Sequence, residues 1–158
     1  MLHKALVILH LLGATAWIGG HIVLVLVVLP AAMRAGDTKA VLHFERGYGR
    51  VGLIALAIQI VTGSLLANTW LGGWGNILDF SVPAAHLVLA KLALLGVTLV
   101  HAGYAFHQLL PRLAAVQDTP GTAAINTLRR FARHAWITTM LAVLLLIVGA
   151  SFRLGGIF

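Results

Sequence analysis

The composition of this 158-residue chain excludes a soluble globular domain. Hydrophobic residues make up 60% of it, charged residues only 9%, and the mean hydropathy is +0.98. The length suits a single domain, and the absence of cysteine excludes disulfides and thiolate metal sites. The formal net charge of +7 does not require a nucleic-acid partner, because membrane topology and anionic lipid headgroups account for it.

Four apolar segments are each long enough to cross about 30 Å of hydrocarbon, and only the third contains a charged residue, Lys91. Because a bilayer offers no water to unpaired backbone groups, such segments must be helical. The sequence therefore predicts an all-α integral membrane protein, a single domain over residues 1–158 folded as a four-transmembrane-helix up-down bundle. The predicted helices cover about residues 4–30, 50–71, 82–111 and 131–153.

The first predicted helix carries two histidines, His10 and His21, inside an otherwise uncharged stretch. Eleven residues turn a helix through about 1100°, which is about 20° beyond three full turns. Both imidazoles therefore point the same way, about 16 Å apart along the axis. The length of this segment, its Trp17 and its histidines argue against a cleaved signal peptide.

Lysine and arginine are concentrated in the connectors that follow the first and third predicted helices and at the start of the helices after them. These eight residues are Arg34, Lys39, Arg46, Arg50, Arg112, Arg129, Arg130 and Arg133. The opposite side has two, Lys4 and Arg153. The positive-inside rule therefore predicts cytoplasmic connectors, with both termini on the periplasmic side of a bacterial inner membrane. The first connector is predicted as a loop with a short interfacial helix near residues 39–46, and residues 72–81 as an external turn.

Six of the eight histidines fall at three predicted depths. His10 and His86 lie near the outer face, His21 and His101 in the inner half, and His107 and His134 near the cytoplasmic edge. Two imidazoles from facing helices at one depth are able to ligate haem iron. We therefore expect haem b on the outer pair and, if the inner pair also binds, two haems per chain. The alternative is hydrogen bonding between helices without a metal.

The remaining histidines have several interpretations. His107 and His134 are predicted to form a third metal layer, a proton path, or contacts with headgroups. His3 and His43 are expected to be ordinary interfacial or loop residues.

Lys91 is the one charged residue inside the four apolar segments. Such residues mark functional sites, and their usual partners are anionic groups. The four acidic residues of the chain all fall in predicted connectors: Asp37, Glu45, Asp79 and Asp118. We therefore expect Lys91 to bind a haem propionate or an anionic substrate, and it is the candidate catalytic residue. The alternative is that its long side chain reaches the outer interface.

The stretch LHLLGATAWIGG (Leu9–Gly20) resembles the opening of the copper resistance protein D (CopD) domain. The chain also resembles the HemJ-type protoporphyrinogen oxidases, small membrane proteins that bind haem b. The residues that carry this second resemblance are His10, Trp17, Glu45, Arg46, Arg50, Thr62–Gly63, Ala90–Leu94 and His101. It implies that His10 is a haem ligand and that Lys91 is required for activity.

These observations predict a membrane-embedded b-type haem protein for electron transfer or other redox chemistry, with a quinone or a redox protein as partner. Two alternatives stay open: an oxidase acting on a porphyrinogen, and copper handling along the layers of histidines. Cu(I) prefers sulfur ligands, but the chain has no cysteine, and Met1, Met33 and Met140 form no stripe. Membrane lipids are expected partners, and the sequence leaves open whether the chain forms a homo-oligomer.

Overall fold

The computed structural model describes residues 1–119 and 121–152, and four long helices make up most of this part. They are α1 (Leu2–Ala35), α2 (Thr38–Leu71), α3 (Pro83–Ala115) and α4 (Thr122–Ser151). A short 3₁₀ turn, Trp74–Asn76, lies between α2 and α3, and the described residues contain no strand. All four helices are long and apolar enough to cross a membrane. The predicted all-α fold with four membrane-spanning helices is confirmed; Arg153 lies outside the described residues.

The helices form a ring in chain order. α1 packs along α2 over most of its length, and α3 packs along α4. Contacts of α1 with α4 and of α2 with α3 close the ring. Only 17–28% of each apolar window is buried, so most of the apolar side chains face outward, where lipid would cover them.

Each helix has 30–34 residues, which is about 45–51 Å and longer than the hydrocarbon layer. The bundle therefore has two distinct ends. We call one the arginine end, which holds Arg34, Arg46, Arg112 and Arg130. The other is the terminal end, which holds Met1, Trp74 and Ser151.

The connector between α1 and α2 is much shorter than predicted. α1 ends at Ala35 and is followed by Gly36 in the left-handed conformation (φ 65°). Asp37 caps α2 by accepting the backbone N–H groups of Lys39 and Ala40 at 2.9 and 3.3 Å. α2 therefore begins at Thr38, whereas the sequence predicts about residue 50. The first turns of α2 are held by packing, because Val41 and Leu42 belong to the buried core.

Two prolines that were expected to end helices lie inside them. Five-residue π turns, Leu24–Val28 and Ala105–Leu109, end two residues before Pro30 and Pro111. Proline donates no N–H and its ring crowds the carbonyl four residues earlier, and the wider π turn accommodates both effects. Consequently α1 continues to Ala35 and α3 to Ala115.

The external turn between α2 and α3 is ordered by its own polar groups. Ser81 donates its hydroxyl at 2.6 Å and its backbone N–H at 2.9 Å to Asp79 Oδ1. The hydroxyl bond, followed by the backbone bond, lowers the pKa of Asp79 below its ordinary value. Trp74 and Phe80 are exposed, as expected for aromatic residues at headgroup level.

The buried core is unevenly distributed along the bundle. Its largest cluster fills the arginine half with residues from all four helices, among them Leu29, Leu113 and Leu128. A smaller cluster around Trp17 lies near the middle, and a third around Val88 lies at the terminal end. Between the two smaller clusters the helices leave a cavity.

Candidate functional site

The cavity has a volume of about 340 Å³ and is lined by all four helices. Its wall is mostly apolar, and small residues provide the room: Ala14, Gly63, Ala67, Ala142 and Gly149. Apart from the tryptophans, the polar side chains among the described residues on the wall are His3, His10, Gln59, Ser64 and Lys91. A concave apolar site with a few convergent polar groups is the usual form of a ligand-binding site.

His10 reaches the cavity from α1 and is anchored by α2. Its Nδ1 lies 2.9 Å from Thr62 Oγ1, and its backbone carbonyl accepts the side-chain amide of Gln59. A Cβ on Gly63 would lie 3.0 Å from His10 Cε1, so the ring needs a glycine there. The residues at 59, 62 and 63 share one face of α2, which makes this a single local support for the imidazole.

Lys91 reaches the same cavity from α3. Its Nζ lies against Gly149 of α4, where a Cβ would come within 3.1 Å. No aspartate or glutamate is among the described residues on the cavity wall. Within residues 1–119 and 121–152 the recorded ion pair is Lys39 with Asp118, at the arginine end. Among the described residues, the cavity therefore combines an amine with apolar walls and no carboxylate.

The outer histidine pair expected from the sequence is not assembled. His86 is exposed, packs 5.0 Å from the ring of Phe80, and does not line the cavity. His3, which was expected to be an ordinary interfacial residue, does line it. The structure thus brings His10 together with Lys91 and His3.

The inner histidines also have partners other than those expected. His21 Nδ1 lies 2.8 Å from the carbonyl of Trp17 and 3.0 Å from the hydroxyl of Tyr48. His101 stacks on His134 with ring centroids 4.7 Å apart, and His134 Nε2 donates to the carbonyl of His101 at 2.8 Å. The neighbour of His101 is therefore His134 and not His21.

Two further observations concern metal binding. His107 is exposed beside Phe106, on the π turn of α3. No group of three or more His, Cys, Asp or Glu that could hold a metal ion occurs in the described part of the chain. The described residues therefore offer a metal ion at most two such side chains at one place.

Several residues around the site were not singled out from the sequence. The sequence does mark Gln59, because it is the one amide in the apolar run of residues 51–67 and intramembrane polar groups are costly. The sequence does not mark Tyr48 or Gly149, since their roles depend on contacts with side chains of other helices. Thr62 belongs to a short sequence motif with Gly63, and that motif does not indicate its contact with His10.

Comparison with known protein families identifies the family of this chain. The family model for copper resistance protein D (CopD) matches residues 42–152, well over half of the chain, from near the start of α2 through α4. All of α1, with the Leu9–Gly20 motif, lies before the match. No curated protein and no solved structure matched significantly. The chain is therefore a multi-pass membrane protein that belongs to the copper resistance protein D family.

Proposed function

We propose that this CopD-family protein is a b-type haem protein of the inner membrane with a redox function, and that the cavity binds the haem. The observation that carries the proposal is the meeting of His10 and Lys91, from α1 and α3, in an apolar cavity whose described wall has no carboxylate. An imidazole is a common ligand of haem iron, and an amine attracts carboxylates.

The residues on the cavity wall fit this group. His10 would ligate the iron, Lys91 would bind a propionate, and the wall of alanine and glycine would face the macrocycle. Bound haem supplies one-electron chemistry, while the protein supplies binding, orientation and a dry environment. Because His101 stacks on His134, away from His21, we expect one haem per chain and not two.

We expect the electron partner to be a lipophilic quinone or a docked redox protein, because the cavity lies among helices that are apolar enough to cross a membrane. If the chain is an enzyme, the same amine suits the carboxylates of a porphyrinogen, with Lys91 as the residue that holds them.

A second candidate, copper handling, is favoured by the family match and by one structural observation. His3 and His10 both line the cavity, seven residues apart on α1, so two imidazoles stand on one wall. Imidazole is a suitable ligand for Cu(II), and copper would here be the ion that the protein handles, not a resident cofactor. Against it, a protonated Lys91 would repel a cation in the same space.

One experiment separates these functions. The full-length protein, purified in detergent, is examined by reduced-minus-oxidised visible spectroscopy, with haem and copper quantified per chain. We expect about one haem per chain, lost in His10→Ala and retained in His43→Ala, because His43 is exposed on α2. Copper without haem would favour the second candidate, and a haem content unchanged in His10→Ala would contradict the proposed ligand.

A further inference from the structure

We infer that Thr62 is a positioning residue that fixes which nitrogen of His10 is free to bind a ligand. The inference deepens the proposed function, on which its ligand-binding part rests. Its geometric part concerns the chain's own hydrogen bonds and holds whether or not the ligand is haem.

The hydroxyl of Thr62 has its proton already committed. Its Oγ1 lies 2.5 Å from the backbone carbonyl of Ile58, a group that only accepts, so the hydroxyl must donate to it. The same Oγ1 lies 2.9 Å from His10 Nδ1 and is left to accept there. Nδ1 therefore carries the ring proton.

A neutral imidazole has one ring proton, so a protonated Nδ1 leaves the lone pair on Nε2. Histidines that bind metals are commonly held in this way, with the second nitrogen donating to a fixed oxygen. Thr62 is only 4% exposed, so water has little access to compete for Nδ1. The bond thus sets the tautomer of His10.

The neighbours of Thr62 restrict the imidazole in other ways. Gln59 holds the His10 backbone through its carbonyl, and Gly63 leaves space beside Cε1, the ring atom between the two nitrogens. Neither touches the proton on Nδ1. Among these three residues of α2, Thr62 alone determines the tautomer.

Other threonines in the bundle provide the comparison. Thr98 makes the same kind of bond to the carbonyl four residues earlier, Leu94, at 2.8 Å, and is 0% exposed. No imidazole is bonded to it in the described structure. A variant of Thr98 therefore reproduces the loss of a buried hydroxyl without touching His10.

The first test measures the tautomer directly. Full-length protein with ¹⁵N-histidine is purified in detergent without ligand, and ring nitrogens are observed by NMR at about pH 8, where an ordinary histidine is neutral. His10→Ala identifies the His10 signals. We expect a protonated Nδ1 in the parent and in Thr62→Ser, a loss of that preference in Thr62→Val, and no change in Thr98→Val. An unchanged His10 tautomer in Thr62→Val would overturn the inference.

The second test measures ligand binding. We expect Thr62→Val to weaken haem retention by about 10–100-fold, with Thr62→Ser restoring it and Thr98→Val near the parent. Equal retention in Thr62→Val and the parent would overturn the positioning role. If the parent binds no haem, the proposed function fails, whereas the tautomer measurement still decides the role of Thr62. Matched thermal unfolding of the two valine variants excludes a general folding defect.

Discussion

Single glycines determine how closely α1 and α2 approach. A Cβ at Gly20 would overlap the ring of Tyr48, whose hydroxyl donates to the backbone carbonyl of Trp17. The preceding residue, Gly19, has no atom within 4 Å of its would-be Cβ. The two adjacent glycines therefore have different roles: Gly20 is required by packing, whereas Gly19 is not.

This difference gives a matched pair of variants. We expect Gly20→Ala to lower the thermal stability of the detergent-purified protein, because overpacking costs about 1–3 kcal/mol or more. Gly19→Ala is expected to be neutral or slightly stabilising, since alanine favours helix over glycine. Differential scanning fluorimetry measures both. Equal melting temperatures for the two variants would show that Tyr48 does not pack against Gly20.

Lys91 should affect stability and ligand binding in opposite directions. Lys91→Met removes a charge from an apolar cavity while keeping a long side chain, so we expect the ligand-free protein to melt at a higher temperature. We also expect haem retention to fall, because the anionic propionate loses its partner. Lys4→Met, at an exposed residue near the terminal end, is the control and should change neither property. Unchanged haem retention in Lys91→Met would contradict the role of this residue.

His10 and Lys91 could be predicted from the sequence because each interrupts an apolar span, and both line the cavity. The partners of the other histidines could not. Depth along a helix follows from counting residues, but rotation about its axis depends on packing. His86 and His101 are fifteen residues apart and diverge by about 60°, so matched depth alone did not place them on one face. The structure leaves His86 exposed and stacks His101 on His134.

At the scale of the helices, their number was predictable and their ends were not. Hydropathy falls where charges begin, near Arg50, but the backbone of α2 is helical from Thr38. Packing explains the difference, because Val41 and Leu42 bury their side chains between charged neighbours. The N-cap Asp37 supplies the local start signal. Tertiary contacts of this kind are not visible in a hydropathy profile.

The cap of α2 can be tested with a second aspartate near it. We expect Asp37→Ala to destabilise the protein by about 1 kcal/mol, because two backbone N–H groups at the start of α2 lose their acceptor. Asp118→Ala removes an exposed ion pair with Lys39, for which little change is expected. Melting temperatures in the same detergent compare the two variants. A larger loss in Asp118→Ala would contradict this assignment.

At the scale of the whole molecule, the two halves of the bundle are built differently. The arginine half is filled by a core drawn from all four helices, whereas the terminal half encloses the cavity. Tight packing in one half holds the helices together, so the other half can keep space for a ligand. Binding would then depend on small residues in the terminal half, while folding would depend on large apolar residues in the arginine half.

The orientation of the bundle decides from which side the cavity is reached. The excess of lysine and arginine predicts that the arginine end is cytoplasmic, so the cavity would lie in the outer half of the membrane. Because the chain has no cysteine, single exposed residues can be replaced in the full-length protein: Ala35→Cys and Gln117→Cys at the arginine end, and Gly75→Cys at the terminal end. In intact spheroplasts we expect a membrane-impermeant maleimide to label Gly75→Cys alone, with the other two labelled only after permeabilisation. The reverse pattern would place the termini in the cytoplasm and open the cavity toward that side.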